Sequence, residues 1–537
     1  MTAPGQPPVG GPGRPTIVLG LATALSRVLG LVREQLFAAL VGASAFADAY
    51  VAAFRIPNLV RDLVAEGAAA QAVVPAFAAE RDRAGLASAY QLGTRIAARV
   101  GLIVALCAAA LALAAPAVMA ALVGDFAAAP GKLALTSELA RIMAGYLPLV
   151  ALAAVAMAMS TAQARFVAPA LGPALFNLVS IGGALALTLV GWGPRDVVVG
   201  WALVTVSAGA AQLGLQTIAL HRAGWRPRLG PASSARRAQV AAVGRALVPA
   251  MIGAAALQLN VFVATILASG EPGAVAWLNY AFRFLQLPLG VLAVALGTVA
   301  TTRLAVAAAK GDRPAMAVEL TGGLRWVIAL GVPAAVGLIV DGGPIVALIY
   351  QHGRFAAADT EATAAALTGF ALGLPAYAAI KVLAPAWFAL GKARTTMVAA
   401  LLSVAVNLGA GLALAGRGVA GVAAATALAA AVNAGLLYRG LSAAMAPLPH
   451  RALVRHLLAV GAASAVMGGA VWATGRGLDQ ALAGSAGLGA RAVRALVPVA
   501  AGVAVYAGVG LALGIAELGA VVRRRRVGSA DDRAGRA

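Results

Sequence analysis

The stretch Arg99–Ala115, RVGLIVALCAAALALAA, decides the class of this chain. Nothing after Arg99 in it is charged, and the next charged residue downstream is Asp125. A helix crossing a ~30 Å hydrocarbon core needs about 20 mostly apolar residues, and this run supplies them. In lipid every backbone N–H and C=O must be satisfied within the segment, so the run is a helix. Similar runs recur in both directions along the 537 residues, of which 61% are hydrophobic and 11% charged. That charged share is about half the usual one. No compact soluble fold hides so much apolar surface behind so few charges, which excludes a soluble enzyme, a disordered chain and a secreted disulfide scaffold.

Fourteen spans follow, at 16–40, 46–77, 94–123, 137–162, 167–191, 197–220, 241–268, 274–306, 323–340, 361–390, 395–415, 418–438, 453–474 and 495–520. The second is too long for a single crossing and contains Pro57 and Gly67, so it is expected to be bent or broken. The Pro- and Gly-rich residues 1–15 are expected to be a disordered lead-in, followed by a retained span rather than a cleaved signal peptide. Cys107, the single cysteine, makes no internal disulfide. His221, His352, His450 and His456 show no ligand spacing, so no metal is expected.

The net charge of +22 does not point to nucleic acid, because most Lys and Arg sit in short stretches between apolar segments. With a cytoplasmic N-terminus and alternating sides, the outer stretches hold only Lys132, Arg195, Arg354, Arg417, Arg476, Arg491 and Arg494. Far more fall on the inner side, among them the tetra-Arg tail Arg523 to Arg526. The positive-inside rule then places both termini in the cytoplasm and requires an even number of spans. The tail is expected to act as a topological anchor near anionic headgroups.

An internal repeat appears at an offset near 228. Ala53-Phe54-Arg55 matches Ala281-Phe282-Arg283, Leu147-Pro148 matches Leu374-Pro375, and Asn177 matches Asn407. Six spans per repeat is an even number, so the halves run parallel, as in transporters that bind substrate between repeats. The last two spans fall outside the repeat.

Seven cations remain within spans: Arg27, Arg33, Arg55, Arg61, Arg141, Arg283 and Lys381. The acids at similar depth are Glu34, Asp48, Asp62 and Glu66. A charge at the bilayer centre costs ~2.5–3.5 kcal/mol on insertion scales and is kept where it meets water, a partner or a ligand. Arg27 and Glu34 share a helical face, seven residues apart. Arg55, Asn58, Asp62 and Glu66 recur at helical spacing. Internal ion pairing or snorkelling at helix ends accounts equally well for Arg55, Asp62, Arg141 and Lys381. Arg offers phosphate a planar fork and a charge that survives desolvation. An excess of Arg over acid therefore points to an anionic substrate, a phosphate or diphosphate. Neither a catalytic acid–base pair nor a metal cluster is found, so the expectation is a transporter and not an enzyme.

At these residues the chain resembles a known family. SRVLGLVREQLFAALVGAS (Ser26–Ser44), ADAYVAAFRIPNLVRDLVAEGAAAQAVVPAF (Ala47–Phe77), YQHGRF (Tyr350–Phe355) and KVLAPAWFALGKARTTM (Lys381–Met397) are similar to the MurJ (MviN) family of lipid II flippases. The resemblance runs over roughly residues 16 to 440. It implies an all-α polytopic membrane protein of the MOP exporter superfamily, with 14 transmembrane helices: two six-helix lobes around a central cavity, plus two extra helices. The corresponding segments are 1–15 (lead), 16–221 (N-lobe), 222–440 (C-lobe), 441–522 (last two helices, a groove for the lipid tail) and 523–537 (basic cytoplasmic tail).

The resemblance also implies transport of lipid II, the undecaprenyl-diphosphate-linked peptidoglycan precursor, across the bacterial inner membrane by alternating access. Arg27, Arg33, Arg61 and Arg283 would hold the diphosphate, and Glu34, Asp48 and Glu66 would serve as gating or charge partners. No cofactor is implied beyond membrane potential and a coupling ion. The partners are lipid II, membrane lipids and the peptidoglycan synthesis machinery, and not nucleic acid. The chain departs from the family at Glu34, where Asp is common, and at Ala276 and Phe282, where some relatives carry Ser and Asp. Two alternatives remain at this point. One is a flippase for another polyprenyl-diphosphate oligosaccharide. The other is a MATE-like cation or drug antiporter, against which the excess of Arg over acid argues.

Overall fold

The computed structural model describes residues 14–63, 69–229, 233–297, 303–304, 306–308, 310–445, 447–485 and 487–519. Every regular element among them is helical. The chain divides into two compact units, 1–41 with 45–255, and 42–44 with 256–537.

The first unit starts with α1 (Arg14–Val41) and α2 (Ala45–Leu63). Helix α1 takes in the last two residues of the expected lead, Arg14 and Pro15. A proline in the first turn costs little, because its missing N–H has no helical acceptor there. Helix α2 runs through Pro57 and is described to Leu63, and α3 (Ala69–Val123) is the next described helix. The expected 46–77 span covers α2 and the start of α3; residues 64–68, including Gly67 where a break is expected, lie outside the described residues. Helix α3 is itself interrupted at Gly85, with φ 83° and ψ 167°, a left-handed excursion open to glycine at little cost. A 3₁₀ turn, Gly124–Ala128, leads into α4 (Lys132–Ala144) and α5 (Tyr146–Thr161), separated by Gly145. Helices α6 (Val167–Val190) and α7 (Pro194–Arg222) follow. Helix α8 (Ser234–Leu267) carries the chain from one unit to the next.

The second unit contains α9 (Ala274–Gly297), α10 (Arg313–Tyr350), α11 (Ala357–Ala371), α12 (Leu374–Ala389), α13 (Ala393–Leu414) and α14 (Gly418–Ala444). Helices α11 and α12 bend by 45° at their junction, where a Cβ on Gly373 would meet the Ala427 backbone at 2.8 Å. The last two helices, α15 (His450–Ala481) and α16 (Leu488–Ala512), pack against each other and against α10. A short turn after α16 is bolted on by Glu517, which accepts from Arg325 Nε at 2.7 Å.

The pseudo-repeat is visible in the bonding within each unit. Asn177 of α6 donates to the Ser26 carbonyl of α1 at 2.9 Å, and Asn407 of α13 donates to the Asn260 carbonyl of α8 at 3.1 Å. In the first unit Phe54 packs on Tyr146, directly after the Gly145 break. In the second, Phe282 packs on Phe370 and Tyr377, which flank Gly373. Phe282, one of the departures from the family, thus fills an aromatic pocket, and Ala276 is fully buried.

Among the described residues, eight helical stretches are long and apolar enough to cross a membrane, or nine counting the bent α11–α12 pair; some contain two expected spans, as Ala393–Ala444 does. Their outer faces carry Leu113, Leu189, Leu458 and Val503 at 64–88% exposure. Transfer of each such side chain out of water is worth about 1.5–3 kcal/mol, so these faces belong in lipid. The chain is a multi-pass membrane protein.

At the α3 break a carboxylate is buried among donors. Glu80, 2% exposed, accepts from Arg83 at 2.8 Å, Ser88 at 2.5 Å, Arg236 at 2.9 Å and Gln239 at 2.9 Å. It lies between the expected spans 46–77 and 94–123. Burial by itself pushes its pKa up. The hydrogen bonds from Ser88, Arg83 and Gln239, together with the Arg236 charge, overcome that and hold it down at about 2.

Candidate functional site

The arginines of the first unit stand beside an aromatic wall. Tyr50 and Phe54 of α2 stack at 5.9 Å, Phe54 meets Tyr146 of α5 at 5.9 Å, and Tyr146 meets Phe176 of α6 at 5.9 Å. The Arg33 guanidinium lies over the Phe176 ring, 5.5 Å from its centroid, at a distance where a cation is attracted to the ring face. Arg33 donates through Nη2 to Glu34 at 2.6 Å, and its remaining N–H groups take no partner among the described residues. Arg61 binds Asp62 through Nε and Nη2 at 3.1 and 2.9 Å, and Asn58 donates to the other Asp62 oxygen at 3.0 Å. Both Arg61 and Arg33 act electrostatically on the buried Tyr146 hydroxyl. Arg27, one to two turns from Arg33 on α1, is exposed and has no partner among the described residues.

The structure therefore brings Arg33, Arg61, Glu34 and Asp62 together around Tyr146, with the Asn58–Asp62 contact expected from helical spacing. Glu34 pairs with its immediate neighbour Arg33, although Arg27 shares its helical face. Asp48 pairs with a different cation. It is fully buried and binds Lys132 at 2.7 Å, while the Lys132 ammonium sits 3.7 Å from the centre of the Phe126 ring. Lys132, expected to be an outer-loop topological cation, is instead a buried structural one. A local hydropathy pattern does not register this, because its partner lies 84 residues away. Glu66 and the tetra-Arg tail lie outside the described residues.

In the second unit Arg283 of α9 is half-buried and donates to Gln286 at 3.3 Å. Of the remaining span cations, Arg55 is half-buried, while Arg141 and Lys381 are exposed. Arg141 donates to the Ala112 carbonyl at 3.3 Å. The sequence reading missed the aromatic wall and Lys132. With aromatics at only 5% of the chain, the concentration of Tyr50, Phe54, Tyr146 and Phe176 within expected spans was the available signal.

The site of the first unit is thus a set of arginines held against carboxylates and aromatic faces within apolar helices. A solved lipid II flippase MurJ in an inward closed conformation matches with a TM-score of 0.75 at 22% identity, over 95% of this chain and 100% of that one. An inward-facing multidrug resistance MATE family transporter of the MOP superfamily matches with a TM-score of 0.63 at 15% identity, over 80% and 98%. These likenesses establish the fold alone, the helical architecture that those two solved transporters share.

Sequence comparison is more specific. The profile described as lipid II flippase MurJ matches residues 37–482. A Rhizobium meliloti protein named probable lipid II flippase MurJ is 34% identical over 527 residues, 95% of this chain and 96% of its own length. A Haemophilus influenzae protein of the same name is 31% identical over 465 residues, 84% and 90% respectively. The chain belongs to the MurJ lipid II flippase family.

Proposed function

We propose that this protein moves lipid II from the cytoplasmic to the outer leaflet of the bacterial inner membrane. The observation that carries the reading is Arg33. Its guanidinium is mostly buried on an aromatic face, with one carboxylate on one edge and donors left for a phosphate oxygen. Family membership supplies the identity of the lipid, because a diphosphate is common to many polyprenyl-linked sugars. In this reading Arg33 and Arg283 bind the diphosphate, and Arg27 and Arg61 add field and further donors. Glu34, Asp48 and Glu66 act as gating or charge partners, Glu34 by holding Arg33 between turnovers. No bond is made or broken. The polyprenyl tail stays in lipid, in a groove of the last two helices, while the headgroup crosses by alternating access. A potential of ~100 mV is worth ~2.3 kcal/mol per charge moved, enough to bias a cationic site back to its starting state, and a coupling ion serves the same end. A cationic drug would be repelled by the same arginines.

We further propose fourteen spans with both termini cytoplasmic, the lobes at 16–221 and 222–440, the lipid-tail helices at 441–522, and working contacts with the peptidoglycan synthesis machinery. The test is complementation of a cell depleted of its lipid II flippase. The wild type restores growth, whereas Arg33→Ala, Arg61→Ala and Arg283→Ala insert normally and do not. A wild type that inserts and fails to rescue refutes the lipid II assignment. Silent arginine variants refute their role in binding.

A further inference from the structure

Among the described residues the buried acids are Glu34, Asp48, Glu80, Asp341 and Glu517. Four of them hold a cation: Glu34 with Arg33 at 2.6 Å, Asp48 with Lys132 at 2.7 Å, Glu80 with Arg83 at 2.8 Å, and Glu517 with Arg325 at 2.7 Å. Asp341 of α10 is the exception. It is 3% exposed, its Oδ2 is buried without a hydrogen-bond partner, and no cation reaches it.

The charged groups on the helices packed against α10 do not offer relief. On α15, Arg476 lies over Trp472 and Asp479 is held by Arg494 of α16 at 3.3 Å. Arg494 also donates to the Leu482 and Ser485 carbonyls, and Arg491 donates to the Gln351 carbonyl. On α11, Asp359 accepts from Trp277 and from the Ala356 N–H, and Glu361 is exposed. On α12, Lys381 is exposed, and on α9, Arg283 donates to Gln286.

A carboxylate taken out of water with no partner is unstable relative to its neutral acid. We propose that Asp341 is a proton-binding site of the second unit, carrying a proton at neutral pH in this conformation. The surroundings give that proton a route. Gly342, Gly343 and Pro344 follow directly, and Pro344 has no N–H to donate to the Val340 carbonyl, which loosens the helix at this turn. The next turn, Gly343 to Ala347, lines a cavity of about 510 Å³ whose wall includes Arg491 and Arg494. Widening this cavity by one turn hydrates Asp341, sets it near those arginines and releases the proton, so the proton reports the shape of this end of the unit. The inference does not depend on which lipid is carried.

The test uses the full chain purified in detergent. A carboxyl that is neutral when folded and ionised when unfolded binds more protons in the folded state. Its contribution to stability is therefore present at low pH and lost as pH rises toward its folded pKa. Thermal unfolding followed by tryptophan fluorescence from pH 5.5 to 9 should show the wild-type midpoint falling with pH. Asp341→Asn should abolish the fall and melt above the wild type at pH 9. Parallel wild-type and Asp341→Asn curves overturn the proposal. Infrared spectroscopy of the wild type near neutral pH provides an independent check that needs no variant. A carboxylic-acid C=O stretch is expected, and its absence overturns the proposal as well.

Discussion

Removing one member of the Asp48–Lys132 pair should destabilise the first unit far more than removing both. The two charges are 2.7 Å apart with side chains 0% and 3% exposed. With an effective dielectric of about 20 their attraction is ~6 kcal/mol, set against a desolvation cost of several kcal/mol per ion. The pair is thus nearly neutral as a unit, but each half alone is a buried charge that has lost its neutralising ion. Asp48→Asn and Lys132→Met should each cost about 3–5 kcal/mol, whereas the double variant should lose much less than their sum. Lys132 also gives up its contact with Phe126, so its single variant should lie toward the upper end. A double-mutant cycle on the purified protein, followed by thermal or denaturant unfolding, measures the coupling directly. Effects that add within about 0.5 kcal/mol would refute the reasoning, because they would show the two charges to be independently solvated.

The paired asparagines offer a test of the repeat. Asn177→Leu and Asn407→Leu should each cost about 1–3 kcal/mol, through the Ser26 or Asn260 carbonyl left without its side-chain donor, and the penalties should add, because the two contacts lie in different units; strong non-additivity in unfolding measurements would contradict this. At the α3 break, Glu80→Gln should cost about 2–3 kcal/mol, since the ion pairs with Arg83 and Arg236 are replaced by bonds to a neutral amide. The folded-state pKa of Glu80 is depressed to about 2, so its stabilisation is complete above the ordinary glutamate range and fades as pH falls toward 2. The gap between wild type and Glu80→Gln in acid unfolding should therefore close below about pH 4. A gap that stays constant down to pH 2 would show that Glu80 is not held as an anion.

Hydropathy is a sum over neighbours in sequence, and everything that depends on such a sum was readable from the chain. Where residues are described, the expected spans fall on helices, and Pro57 sits inside α2 without ending it; Gly67, the other residue expected to break the second span, lies outside the described residues. The repeat was legible for a related reason, since Asn177 and Asn407 are single residues with no tolerance for a change of register. Arginine enrichment in the first two spans was equally plain. Pairing belongs to a different order of fact. Whether Lys132 faces solvent or Asp48, whether Glu34 takes Arg27 or Arg33, and whether Asp341 meets a cation are settled by side chains from other helices within a few ångströms. Coulomb and desolvation energies change over that distance by more than the whole preference of a residue for water or lipid. The sequence determined which segments enter the membrane and that they carry excess positive charge; the tertiary structure decided which charges are neutralised on site and which stand ready for something else.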